Sequence, residues 1–129
     1  MSDKFKVEII TPDQKILNTE ASEVTIPCYE GQMGILKDHI PLITFLRPGL
    51  ISVKNQVENK YFVEEGTVEF SDNSLLILTS TVKDLKNLQK NSLNDLLEEA
   101  ERKLKDGNST DKEKFILSYK VQSLREIIQ

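Results

Sequence analysis

Phe5, Val7 and Ile9 alternate with Lys4, Lys6 and Glu8, the period-two pattern of a strand with one buried face. Thr11-Pro12-Asp13 interrupts it with turn chemistry, so Gln14 to Leu17 can return as the second arm of a hairpin. Residues 21–27 predict a third strand with Val24 and Ile26 pointing inward. Leu42-Ile43-Thr44-Phe45 and Leu50-Ile51-Ser52-Val53 flank Pro48-Gly49, which reads as a turn folding one strand back against the next. Tyr61 and Val63 alternate after the polar connection from Asn55 to Lys60. Thr67 to Phe70 and Leu75 to Leu78 then flank the turn-rich Ser71-Asp72-Asn73-Ser74. Short strands with frequent turn signals, about ten in all, predict a β-sandwich or barrel.

Near Thr81 the period changes. Ser92 has the chemistry of an N-cap, with Asp95 three residues on, and Leu93, Leu96, Leu97, Ala100 and Leu104 recur at helical spacing. The prediction is a helix from about Ser92 to Asp106, roughly 20 Å long, stopped by Asp106-Gly107-Asn108-Ser109. Ser109, Thr110 or Asp111 can cap a second helix whose stripe holds Ile116 or Leu117, Val121, Leu124 and Ile128. The chain therefore divides into a β-sandwich over residues 1–84 and an antiparallel helical hairpin over residues 85–129. Both stripes are narrow, so packing the helices together leaves weak adhesion to the sandwich and a separable hairpin. A rigid hairpin that simply caps the sandwich fits the pattern equally well.

Composition narrows the functional classes. In 129 residues, 38% are hydrophobic with no tryptophan and 29% are charged, which suits a modest core under a well-solvated surface. The net charge of −4 is unevenly spread: residues 1–84 hold thirteen acids against eight bases, and residues 85–129 eight acids against nine bases. An acidic first part argues against nucleic acid, whose phosphates require clustered lysine and arginine. The longest apolar runs, such as Leu75-Leu76-Ile77-Leu78, fall short of the roughly 20 residues of a membrane span. The opening Met1-Ser2-Asp3-Lys4 lacks the features of a secretory or transit peptide, so the chain is expected to stay where it is made. One cysteine, Cys28, forbids an internal disulfide, and one histidine, His39, leaves no triad or metal-ligand spacing. An enzyme reading ranks last, and no metal or cofactor is expected.

The stretch Tyr29-Glu30-Gly31-Gln32-Met33-Gly34-Ile35-Leu36-Lys37-Asp38-His39-Ile40-Pro41-Leu42 concentrates two glycines, a proline and the only histidine, with Arg47-Pro48-Gly49 close behind. It reads as a shaped docking loop: Gly31 and Gly34 permit backbone closed to other residues, and Pro41 stiffens the exit. Glu30-Gly31-Gln32-Met33-Gly34-Ile35-Leu36, His39-Ile40-Pro41-Leu42 and Leu46-Arg47-Pro48-Gly49 resemble the signature of the epsilon subunit of bacterial F-type ATP synthases. Phe5 to Pro12 and Phe62 to Phe70 continue the resemblance across roughly the first two thirds of the chain.

That resemblance implies a β-sandwich bearing a helical hairpin that folds down or extends along the central shaft, where it restrains ATP hydrolysis. It implies a non-catalytic subunit that binds the gamma subunit and the rotor ring of c subunits, and transiently the catalytic alpha and beta subunits. The membrane would be met only through the ring, at the cytoplasmic face of the bacterial inner membrane, with proton flow driving synthesis. Carried over by residue, Glu30, Gly31, Gln32, Met33, Gly34 and His39 belong to the loop facing the polar loops of the ring. Glu30 and His39 offer charge and hydrogen bonds, the glycines close approach, and Met33 adaptable apolar contact; turn structure is their equally weighted role.

Some relatives bind ATP through an Ile/Leu-Asp-x-x-Arg-Ala pattern at the first helix. The corresponding Leu88-Gln89-Lys90-Asn91-Ser92-Leu93 has neither the acid nor the arginine, so no ATP site of that kind is expected. Lys86, Lys90, Arg102, Lys103 and Arg125 are offered as contacts to acidic catalytic-subunit surfaces, against the plainer reading of solvated charges. A free-standing β-sandwich ligand-binding or adaptor module is the alternative function.

Overall fold

A computed structural model describes residues 3–129 of the chain. Among these, the strands are β1 (Phe5–Ile10), β2 (Lys15–Ala21), β3 (Glu23–Cys28), β4 (Gly31–Leu36), β5 (Leu42–Leu46), β6 (Gly49–Lys54), β7 (Glu58–Val63), β8 (Gly66–Ser71), β9 (Ser74–Thr79) and β10 (Val82–Asp84). A short 3₁₀ turn, Leu85–Asn87, leads to helices α1 (Lys90–Lys105) and α2 (Asp111–Ile128). The strands form two halves, β10-β7-β6-β3 with β4 beyond β3, and β5-β8-β9-β1-β2. They join where Cys28 pairs with Leu46. All pairings are antiparallel except β1 with β9.

Alternation explains the sandwich. Val7, Ile9, Val24, Ile26, Ile35, Leu46, Ile51, Val68, Phe70 and Ile77 point between the two halves and are essentially inaccessible. The β8–β9 hairpin turns on Asp72 and Asn73 with φ of 49° and 57°, the left-handed pair that a two-residue hairpin requires and that Asp and Asn tolerate.

Three expectations are corrected. Pro48-Gly49 does not fold β5 onto β6: β5 pairs with β8, whereas β6 pairs with β7 and β3, so the chain crosses between halves there. Gly49 is required by that crossing, since a Cβ on it would lie 2.7 Å from Cβ of buried Pro27. Helix α1 begins at Lys90 with Gln89 as N-cap, placing Ser92 inside the first turn rather than at the cap. Tertiary contact outweighs the cap signal here, because Leu85, Leu88 and Leu93 all belong to one apolar cluster with Phe62 and Leu124. Finally, the connection between β6 and β7 is only Asn55-Gln56-Val57, so β7 starts at Glu58, earlier than its polar residues suggest.

The second helix follows its cap. Thr110 accepts a hydrogen bond from the Glu113 backbone N–H at 3.1 Å, and the Glu113 carboxylate meets the Thr110 hydroxyl at 3.1 Å. Ser109 closes α1 by donating to the Lys103 carbonyl at 3.2 Å.

Candidate functional site

The stretch read as one docking loop folds instead as a strand with a turn at each end. Gln32, Gly34 and Leu36 face solvent while Met33 and Ile35 face the core, a period-two alternation that the glycines disguised. At one end, Cys28 pairs with Gly31 across Tyr29-Glu30, and Gly31 takes φ +119°, open to glycine and few others. Gly34 has ordinary strand geometry, and a Cβ on it would meet nothing within 4 Å, so glycine is not required there by conformation.

At the other end, Asp38 adopts φ 67° and is clamped to the β8–β9 turn: its N–H donates to Asn73 Oδ1 at 2.7 Å, and Asn73 Nδ2 donates to Asp38 Oδ1 at 2.9 Å. His39 stands next to this clamp. Its Nδ1 meets the Ile40 carbonyl at 2.8 Å and its ring stands edge-on to Phe70, centroids 5.9 Å apart. Six strand residues separate the two turns, about 20 Å at the usual rise. Glu30 and Gln32 are thus brought together at one end, exposed, while His39 braces the other; Met33 is turned against the sandwich core.

The Tyr29–Glu30 turn touches α2. The Tyr29 ring stacks on Phe115 with centroids 5.9 Å apart and meets Tyr119 edge-on at 5.9 Å, while Phe115 and Tyr119 lie 5.1 Å apart. Burial, helped by the nearby Glu65 carboxylate, pushes the Tyr29 phenol above its ordinary range. Arg47 links the parts: Nε donates to the Cys28 carbonyl at 2.9 Å, Nη1 donates to the Pro48 carbonyl at 3.1 Å, and the guanidinium lies 4.8 Å from the Tyr119 ring centroid. The sequence marks Arg47 only as part of Leu46-Arg47-Pro48-Gly49, with no contact assigned to it, and carries no signal for Tyr119 or Ser123.

Two outer faces differ. On β6 and β7, Leu50 and Phe62 face outward as register partners and are covered by Leu93, Leu96, Leu97, Leu124 and Ile127 of the helices. On the other half, Ile40, Ile43, Phe45 and Leu78 remain 74%, 77%, 63% and 44% exposed. Phe45, Thr67, Leu78 and Ile10 stand side by side across β5, β8, β9 and β1. This apolar face runs into an open groove of about 820 Å³ that Phe115 and Ile116 of α2 also line. Exposed large apolar side chains grouped in this way, with the Glu69 carboxylate beside Ile43, make this face a candidate interaction surface.

The five basic residues singled out on the helical part are all exposed. Arg125 pairs with Glu101 at 2.6 Å and Lys103 with Glu99 at 3.2 Å, so these two are engaged within the hairpin. Cys28 is buried, and burial raises its thiol above the ordinary range, which makes it a packing residue. Among the described residues no group of His, Cys, Asp and Glu could hold a metal ion, and no helix is long and apolar enough to cross a membrane.

Comparison with known proteins fits this architecture. Residues 4–84 match the family model of the ATP synthase delta/epsilon chain, beta-sandwich domain. The chain is 41% identical over 129 residues to the ATP synthase epsilon chain of Pelagibacter ubique, covering 98% of this chain and 99% of the relative. It is 33% identical over 107 residues to that of Hydrogenobaculum, covering 83% and 79% respectively. Among solved structures, a chain of the Euglena gracilis mitochondrial ATP synthase OSCP/F1/c-ring assembly superposes with a TM-score of 0.81 at 21% identity, covering 100% of this chain and 84% of that one. A chain of the Tetrahymena thermophila mitochondrial central stalk and c-ring superposes at 0.66 and 16% identity, covering 96% of each. At these identities the structural likeness establishes the fold.

Proposed function

The chain belongs to the ATP synthase epsilon-chain family, and from that premise we propose that it works as a non-catalytic rotor subunit whose sandwich grips the central shaft and ring while its helices restrain ATP hydrolysis. The observation that carries the reading is the set of exposed apolar side chains Ile40, Ile43, Phe45 and Leu78, which lie outside the leucine-rich seat of the helices. A lasting partner surface requires such a face, and the gamma subunit is the partner assigned to it.

Under this reading Glu30, Gly31 and Gln32 form the tip presented to the polar loops of the c-subunit ring. Met33, Gly34 and His39 keep the strand and its far turn in shape for that tip and for the shaft contact. The helical part, residues 85–129, acts as the regulatory arm, with Lys86, Lys90, Arg102, Lys103 and Arg125 available to acidic surfaces of the alpha and beta subunits once the arm extends. The subunit sits peripherally at the cytoplasmic face of the bacterial membrane and reaches the bilayer only through the ring. An adaptor or ligand-binding module standing alone draws no support from relatives matched along nearly the whole chain.

The test is association with the gamma subunit of the same synthase. Ile43→Lys combined with Phe45→Lys puts two charges on exposed positions, the first opposite Glu69, so the isolated chain should unfold at a nearly unchanged urea midpoint. Binding should weaken at least a hundredfold. Unaltered binding by the doubly charged variant would sink the assignment of this face.

A further inference from the structure

We infer that Arg47 is a positioning residue that couples the seat of α2 to the shape of the Tyr29–Glu30 turn, so that the turn's partner and the seated helix sense one another. The consequence for ring docking rests on the function proposed above; the coupling itself does not. Three independent contacts converge on a few ångströms of chain. Arg47 holds the carbonyl of Cys28, the residue that enters the turn, and at the same time lies over Tyr119 of α2. The Pro48 carbonyl is shared: it accepts from Arg47 Nη1 and, at 3.1 Å, from the buried hydroxyl of Ser123 on α2. The ring of Tyr29, inside the turn, packs against both Phe115 and Tyr119, which touch each other.

A helix that leaves this seat therefore removes the Tyr29 stack, the ring under the Arg47 guanidinium and one of two donors to Pro48 in a single step. Arg47 is then free to change its grip on Cys28, and the turn keeps its β3–β4 pairing but loses the contacts that fix the Tyr29 ring. The opposite end of β4 is insulated from this, because Asp38 is clamped to Asn73 on a different half of the sandwich. Coupling between two sites is reciprocal: whatever stabilises the turn in its present shape must stabilise the seated helix by the same factor.

Hydrogen exchange on the full chain, read segment by segment, tests this without any ring present. Tyr119→Leu alters only a half-buried residue of α2 and leaves the sandwich core untouched, so folding is preserved. It should speed exchange about tenfold in α2 and also in residues 27–34, with residues 66–79 unchanged. Tyr29→Leu should speed exchange in α2 in turn. Arg47→Ala should do both, and combining it with Tyr119→Leu should add less than the two single effects. Arg47→Lys keeps a cation near Tyr119 but loses the planar fork, so it should restore only part of the protection. Acceleration confined to α2 in Tyr119→Leu, or strictly additive effects, overturns the coupling. In a second arm, Gln32→Cys cross-linking to ring loops in membranes should fall when Tyr119→Leu is added. A coupled exchange pattern with no cross-link even in the Gln32→Cys parent would leave the coupling standing and discard ring docking.

Discussion

The sandwich and the helical pair are held by different kinds of contact. Inside the sandwich, side chains from nearly every strand interdigitate, with Phe5 and Phe70 edge-to-face at 5.7 Å and their neighbours inaccessible to solvent. Between the sandwich and the helices, Phe62, Leu93 and Leu124 form a small buried cluster ringed by half-covered leucines and isoleucines. The rest of that junction is polar or aromatic: Ser123 on the Pro48 carbonyl, Lys120 with Glu64, and Arg47 over Tyr119. A core of the first kind commits the chain to one fold. A junction of the second kind holds an element in place while leaving its removal within reach of a partner's binding energy, which is what a regulatory arm over residues 85–129 would need.

The sharpest way to break that contrast is to cut one large side chain from each. Phe70→Ala should cost about 3–5 kcal/mol and lower the urea midpoint of the whole molecule, since buried Phe70 packs on Phe5 and His39. Leu124→Ala removes comparable apolar volume, about 2–5 kcal/mol locally, but the loss should appear as faster exchange and easier proteolysis of residues 85–129 while the sandwich midpoint barely moves. If both variants lower one shared midpoint by similar amounts, the helices and sandwich are a single cooperative unit and the arm is not separable.

The contrast was half legible in the sequence. Strands whose outer face meets water announced themselves by alternation, and Phe5, Val7 and Ile9 fell inward as their spacing requires. The seat of the helices was written in the exceptions: Leu50 beside Ile51, and Phe62 between Tyr61 and Val63, are consecutive apolar residues, the mark of strands covered on both faces. Period-two alternation alone gives their outward members, Leu50 and Phe62, no partner, and the helices supply it. Strand β4 escaped because glycine at two of its six positions replaces the alternation that would have marked it. The Pro48-Gly49 crossing escaped for another reason. Turn chemistry states that the chain bends but not which strand it meets next, and pairing across the sandwich is set far along the chain.

The three glycines of the signature sharpen the comparison at smaller cost. Gly49→Ala drives a methyl into buried Pro27, 2.7 Å and 3.1 Å from its Cβ and Cγ, and should cost about 1–3 kcal/mol. Because Pro48 and Arg47 flank it, exchange protection of α2 should fall as well. Gly31→Ala places a side chain at φ +119° with open space around it, costing about 1–2 kcal/mol from backbone strain alone. Gly34→Ala meets neither obstacle and should stay within about 0.5 kcal/mol of the parent in thermal unfolding. An equal penalty at all three positions would mean that neither the positive φ at Gly31 nor the close contact at Gly49 sets the cost.

A small effect confined to the junction is expected at Lys120–Glu64, where Nζ and Oε1 lie 2.7 Å apart and the side chains are 16% and 33% exposed. This ion pair joins the middle of α2 to the end of β7, so it acts only on the junction. Lys120→Met keeps the aliphatic stem against the helix seat and removes the charge, and a partly exposed pair of this sort contributes up to about 1 kcal/mol, less as salt is added. Exchange in α2 should therefore quicken about threefold at low ionic strength and approach the parent's rate in concentrated salt. Exchange in residues 66–79 should not respond at all. A salt-independent loss of protection would instead mean that the lysine stem, packed along α2, holds the helix down and that charge contributes little to keeping the arm seated.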